Sequence, residues 1–167
     1  MILYKEKGVS MKYLLLMRHG KAVKSEESPD DFSRELHSKG IAEVRDNAIK
    51  LHGKNYLPDV IMSSTALRAV QTAELVSEII HIPQFIRVDE LYQAEIKTIY
   101  SLLKNQDNER SIMIVGHNPN MEDTASACLG REVSMSTSHI IVIETEIDSW
   151  HNFSKETKTR MIEEFIP

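Results

Sequence analysis

An α/β fold with an open, mostly parallel sheet is predicted by three features of the sequence. Apolar runs rich in β-branched residues alternate with stretches of helical periodicity. Two of those runs end abruptly in polar clusters, Arg18-His19-Gly20 and Gly116-His117-Asn118, as strands do when their carboxyl ends open into a ligand site. The length of 167 residues suits one hydrophobic core, with no internal repeat, low-complexity tract or linker to divide it.

The elements follow in order. Residues 13–17 read as the first strand. Residues 38–52 carry Ile41, Val44, Ala48 and Leu51 at helical spacing, with Gly53 as the stop. Pro58 precedes a short second strand at 59–62. Ser63, Ser64 and Thr65 then supply capping residues for a helix bearing Leu67, Val70, Ala73, Leu75, Val76 and Ile79, with Pro83 just beyond. A third strand is expected at 85–88, a third helix at 96–103 and a fourth strand at 111–115. A short helix over 121–129, a strand at 139–146 and a closing helix over 155–165 complete the pattern. Residues 1–10 read as an extension of no assigned role, and residues 11–167 as a single domain. The longest loop, residues 22–34, is rich in Ser, Glu and Asp and long enough to form a lid or substrate wall. Whether its acidic part, residues 26–31, folds over the site is left open.

Charge and composition exclude several classes. A formal net charge of -5 argues against a nucleic-acid or anionic-membrane surface, which is usually basic over a whole face. A lone cysteine, Cys128, permits no intramolecular disulfide and no cysteine metal cluster, and it reads as inert packing. No run approaches the roughly 18 apolar residues of a membrane helix. The N-terminus is too polar for a signal peptide, so a cytoplasmic protein is expected. The remaining histidines, His37, His52, His81, His139 and His151, show no ligand spacing, and no metal site is expected.

At the expected strand ends stand Arg18, His19, His117 and, early in the second helix, Arg68. An arginine offers a planar, permanently charged fork of donors that suits phosphoryl oxygens. A histidine among arginines has its protonated form disfavoured, which leaves a neutral nitrogen free as a nucleophile. The glycine that follows would let backbone approach a ligand closely. Attack by an imidazole on a phosphorus held by guanidinium groups is the chemistry this set suits. Arg18 with His19 alone would more simply be a structural pair; Arg68 and His117 at neighbouring strand ends turn the reading toward a site.

The motifs also resemble a known family. LMRHGKA at 16–22 resembles the RHG signature of the histidine phosphatase superfamily, the phosphoglycerate mutase-like family. DDFSRELHSKG at 30–40, SSTALRAVQTAELV at 63–76, VGHNPNM at 115–121 and STSHIIVIE at 136–144 resemble, in order, further motifs of its short SixA-type phosphohistidine phosphatases. The resemblance implies a three-layer α/β/α sandwich with a mostly parallel central sheet. It makes His19 the nucleophile that becomes phosphohistidine, gives Arg18, Arg34 and Arg68 the phosphoryl oxygens, and has His117 donate a further hydrogen bond to them. It implies no metal and no organic cofactor.

The general acid is left open. Larger members of the superfamily place a glutamate after the third strand; Glu90 matches that position best and Glu95 is the fallback. A phosphoramidate leaving group is itself a nitrogen base, so a SixA-type enzyme needs this acid less. The resemblance therefore implies a phosphatase for phosphohistidine on a protein such as a phosphotransfer domain or phosphocarrier in signal transduction; a monomer is one option, and the sequence leaves the oligomeric state open. Two rivals stand beside it: a phosphatase for a small sugar or nucleotide phosphomonoester with Glu90 as general acid, and a phosphate-binding regulator without turnover.

Overall fold

A computed structural model describes residues 10–82, 85–106 and 108–167. Residues 1–9 of the expected N-terminal extension, and the expected terminator Pro83, lie outside the described residues.

The chain order is β1 (Met11–Arg18), α1 (Ser38–Gly53), β2 (Val60–Ser64), α2 (Leu67–Ile80), β3 (Phe85–Val88), α3 (Ile96–Lys104), β4 (Ser111–Gly116), α4 (Asn120–Leu129), β5 (Ile140–Glu146) and β6 (Thr159–Phe165). Short 3-10 turns lie at Ser25–Glu27, Asp89–Leu91 and Trp150–Asn152. The strands form one sheet in the order β3-β2-β4-β1-β5-β6. β1, β2, β3 and β4 pair in parallel, and β5 runs antiparallel to both of its neighbours.

Side chains alternate across the central strands, so each strand feeds two cores. Leu14 and Leu16 of β1 point into one core with Ile99, Leu103, Met121, Trp150 and Phe153, beneath α3 and α4. Leu15 and Met17 point into the other with Val44, Leu51, Ala73 and Val76, beneath α1 and α2. Helices therefore cover both faces, and the fold is the expected three-layer α/β/α sandwich.

Three local expectations are corrected. Residues 155–165 do not form a closing helix: residues 159–165 are β6, paired antiparallel with β5 along the sheet edge. Met161, Ile162 and Phe165 have a spacing that fits a helix face. A bulge opposite Val142 and Ile143 accommodates it in a strand, sending Met161 to one core and Ile162 with Phe165 to the other. At α2 no serine or threonine caps the helix. The N-cap is Ala66, and the first helical N–H, that of Leu67, donates to the Phe32 carbonyl at 3.0 Å. Gly53 is the last residue of α1 rather than its stop; the left-handed residue beyond it is Asn55, at φ 60°.

No helix among the described residues is long and apolar enough to cross a membrane.

Candidate active site

The register of the sheet builds the site. Arg18 at the end of β1 pairs with Gly116 at the end of β4, so the next residues, His19 and His117, leave adjacent parallel strands side by side. Their ring centroids lie 4.9 Å apart. β2 ends one strand further over in Ser64, whose Oγ lies 2.8 Å from Nε2 of His117. α2 begins just after it and brings in Arg68, which is only 6% exposed.

The hydrogen bonds settle the tautomer of His19. Nδ1 of His19 lies 2.8 Å from its own neighbour's carbonyl, Gly20 O, and so carries the proton as donor. Nε2 of His19 then accepts from Nε of Arg68 at 3.3 Å and holds the lone pair. Ser64 Oγ accepts from Ala66 N–H and keeps both a lone pair and a proton with which to pair with Nε2 of His117. Nδ1 of His117 is buried and has no protein partner. Nε of Arg18 is likewise buried and unpartnered.

Burial is the main cause that depresses His19, to about 3; the Gly20 hydrogen bond opposes it, and the charge of His117, Arg68 and Arg18 adds to it. Burial and then Arg68 depress His117 to about 4, with Asp31 opposing. Both rings are neutral at neutral pH.

A surrounding frame fixes these groups. Arg18 Nη1 donates to the Met135 carbonyl at 2.8 Å, which also accepts from Asn118 Nδ2 at 2.8 Å. Glu122 holds the same residue by accepting from Met135 N–H. Ser138, in the left-handed region at φ 67°, sends its N–H to the carbonyls of Arg18 and His19, each at 3.1 Å. Thr72 Oγ1 accepts from Gly20 N–H at 3.0 Å and donates to Arg68 O at 2.7 Å. Packing also favours glycine at position 20: a Cβ there would lie 2.8 Å from Val44 Cγ2 and 3.0 Å from Leu36 Cδ2.

The acidic loop does reach this cluster, through Asp31. Its Oδ2 accepts from Arg68 Nη2 at 3.0 Å and from the Tyr92 hydroxyl at 2.9 Å, and its Oδ1 from Arg34 Nη1 at 3.0 Å. Desolvation pushes the Asp31 carboxyl up, but the hydrogen bonds from Arg34, Tyr92 and Arg68 outweigh it and draw it down to about 2. Arg34 thus joins the cluster by way of Asp31 and contacts neither histidine; its Nε donates to the Val23 carbonyl. Tyr92 stands edge-on to His117, ring centroids 5.6 Å apart.

Arg18, His19, Arg68 and His117 are therefore brought together. Glu90 is exposed in the turn after β3 and makes no hydrogen bond or ion pair with that group. Glu95 is the N-cap residue of α3, paired with Lys97. Asp31 and Tyr92 carry no individual mark in the sequence. Tyr92 lies two residues past Glu90 in the segment already suspected of facing the site, and Asp31 lies in the loop considered as a wall. No group of three or more His, Cys, Asp or Glu side chains among the described residues could hold a metal ion. Cys128 is half-buried in α4, its thiol pushed up to about 11 by burial.

Two imidazoles and two guanidinium groups at the carboxyl ends of parallel strands define a site for phosphoryl chemistry. The family model of the histidine phosphatase superfamily (branch 1) matches residues 14–95. Among solved structures, the chain is similar to SixA of Agrobacterium tumefaciens, assigned as a phosphohistidine phosphatase, at 31% identity and a TM-score of 0.82, over 93% of this chain and 98% of that one. A SixA protein of Nakamurella multipartitia, with the same assignment, matches at 21% identity and a TM-score of 0.82, over 96% and 99%. An uncharacterised chloroplastic protein of Arabidopsis thaliana is 26% identical over 82% of this chain and 68% of its own length. This chain belongs to the histidine phosphatase superfamily and is of the SixA type. It is accordingly a phosphatase.

Proposed function

We propose that the chain removes the phosphoryl group from phosphohistidine on a protein, such as a phosphotransfer domain or phosphocarrier, by way of a covalent intermediate on His19. The observation that carries this reading is the tautomer of His19. Its Nδ1–H is held by Gly20 O, so the lone pair of Nε2 faces the Arg68 guanidinium, where a phosphoryl group would sit.

In the first step Nε2 of His19 bonds to phosphorus as the bond from phosphorus to the substrate nitrogen breaks; the substrate imidazole departs neutral, the bonding pair on that nitrogen and a proton taken from solvent on its other one. Arg18 and Arg68 balance the negative charge on the phosphoryl oxygens. A phosphoryl oxygen would give a partner to the buried, unpartnered Nε–H of Arg18, and to Nδ1 of His117 in the tautomer that carries its proton there. Water then attacks phosphorus, phosphate leaves, and His19 is restored. Arg34 acts at one remove, by holding Asp31.

A protein phosphohistidine is favoured over a phosphomonoester by the carboxyls around the site. Asp31 is ionised and bound to arginines, and Glu90 is exposed and unconnected to the cluster. Neither is placed as a proton donor for an oxygen leaving group, whereas a nitrogen leaving group is basic enough to take its own proton.

The test compares wild type, His19→Ala and Glu90→Gln on a histidine-phosphorylated phosphotransfer domain and on an aryl phosphate. Release from the domain that is lost in His19→Ala and kept in Glu90→Gln supports the reading. Fast aryl phosphate hydrolysis that collapses in Glu90→Gln, with the domain untouched, would replace it with a small phosphomonoester. Binding of the domain without release would leave a phosphate-binding regulator.

A further inference from the structure

We propose that Asp31 is a positioning residue for Arg68, clamping the end of its guanidinium so that the Nε edge faces His19. The inference rests on His19 as the phosphoryl acceptor. A guanidinium presents its five N–H groups in one plane, with an end edge at Nη1 and Nη2 and a side edge that includes Nε. Asp31 holds both terminal nitrogens: its backbone carbonyl accepts from Nη1 at 2.6 Å, and its Oδ2 accepts at 3.0 Å from Nη2, which the end and side edges share. Nε, on the side edge, donates to His19 Nε2 at 3.3 Å.

This placement separates a clamp from a plug. A carboxylate that merely stood in for the phosphoryl group would sit on the edge facing His19. The main-chain half of the Asp31 contact sits at Nη1, off that edge, where a phosphoryl group would have no reason to displace it. The same carboxylate is itself held by Arg34 on Oδ1 and by Tyr92 on Oδ2. Tyr92 packs edge-on against both His117 and Phe32, ring centroids 5.6 and 5.2 Å away. One residue thus ties the loop, the turn after β3 and α2 to the orientation of a single guanidinium. A bare carboxylate so near a phosphoryl dianion is repulsive; fixing the arginine that neutralises that dianion is what offsets it.

Asp31→Asn tests this, because it keeps the shape and the main-chain carbonyl of a half-exposed residue. Turnover of an aryl phosphate should lose about 10- to 100-fold in kcat with KM within about twofold. The loss should shrink or vanish when Asp31→Asn is added to Arg68→Lys. Independently of turnover, 15N NMR of labelled protein should show Nε2 of His19 moving toward an unbonded imidazole nitrogen in Asp31→Asn. Three outcomes would overturn the proposal: unchanged kcat together with tighter binding of inorganic phosphate, losses that simply multiply in the double variant, or an unmoved Nε2 resonance. A wild type that hydrolyses no phosphoryl substrate would sink the functional reading instead, and the NMR comparison would still decide the clamp.

Discussion

Nε of Arg68 donates to Nε2 of His19 across 3.3 Å, and the same arginine is held from behind by Asp31. The nitrogen proposed to attack phosphorus is therefore already paired with the group that would neutralise the charge it creates. In the proposed reaction an oxygen of the entering phosphoryl group takes over the Nε–H, which frees the lone pair toward phosphorus. Arg68→Ala removes the donor from both states, and kcat on an aryl phosphate should fall about 10²- to 10³-fold. Arg68→Lys should recover little of this, since a point charge cannot hold Asp31 and a phosphoryl oxygen on two edges at once. Steady-state kinetics of the two variants check it; a lysine variant near wild-type kcat would refute the two-edge role.

Thr72 links the catalytic turn to α2. It is fully buried, and its hydroxyl accepts from Gly20 N–H while donating to Arg68 O. Thr72→Val keeps the shape and strands the Gly20 N–H in the interior. The variant should lose about 1–3 kcal/mol of stability by urea unfolding, whereas Thr72→Ser should lose less. Equal stability of the valine variant would mean that this bond contributes nothing.

Gly40 and Gly53 lie in the same helix and should respond oppositely to alanine. A Cβ at Gly40 would lie 2.1 Å from Lys21 O, main chain of the segment that follows His19 and cannot yield cheaply. Gly40→Ala should destabilise by about 3 kcal/mol or more. At Gly53 a Cβ meets nothing within 4 Å, and alanine should be neutral or stabilise by up to about 1 kcal/mol. Thermal unfolding of the pair checks both signs.

The parts of this site that could be read in the sequence are those that a strand end announces. His19 and His117 each follow an apolar run, and parallel pairing of β1 with β4 makes residues that end such runs into neighbours. Arg68 could be read because it opens a helix directly after β2. Asp31 could not, because its neighbour Asp30 belongs to the same acidic loop and does something else, accepting from Ser33 N–H to shape the turn. A carboxylate that turns inward and one that stays in solvent look alike in a sequence. Arg34 was expected from the family pattern, and its route to the site through Asp31 was equally hidden. β6 was misread for a related reason. Met161, Ile162 and Phe165 satisfy a helical spacing locally, and only the bulged pairing with β5, a non-local fact, makes them a strand.

The two depressed histidines set the acid limit of the molecule. An unfolded histidine takes up a proton near pH 6.5. His117 in the folded chain does so only near 4 and His19 only near 3, burial being the main cause for each. Between about pH 6.5 and 4 the unfolded state therefore binds more protons, and stability falls as pH falls, by up to about 1.4 kcal/mol per pH unit for each such histidine. Buried His139, also depressed, pulls the same way. Stability is full above pH 6.5 and the loss runs down through the folded values. His19 itself stays neutral and able to attack across this range. Turnover per folded molecule, corrected for the substrate's own ionisation, should therefore stay flat from pH 7 to 5 while urea unfolding midpoints drop. His117→Asn should flatten the fall in stability over the same window, at the cost of turnover. An acid limb in kcat/KM near pH 6.5 that persists in fully folded protein would show that His19 titrates as an ordinary histidine, and the desolvated, neutral nucleophile would have to be abandoned.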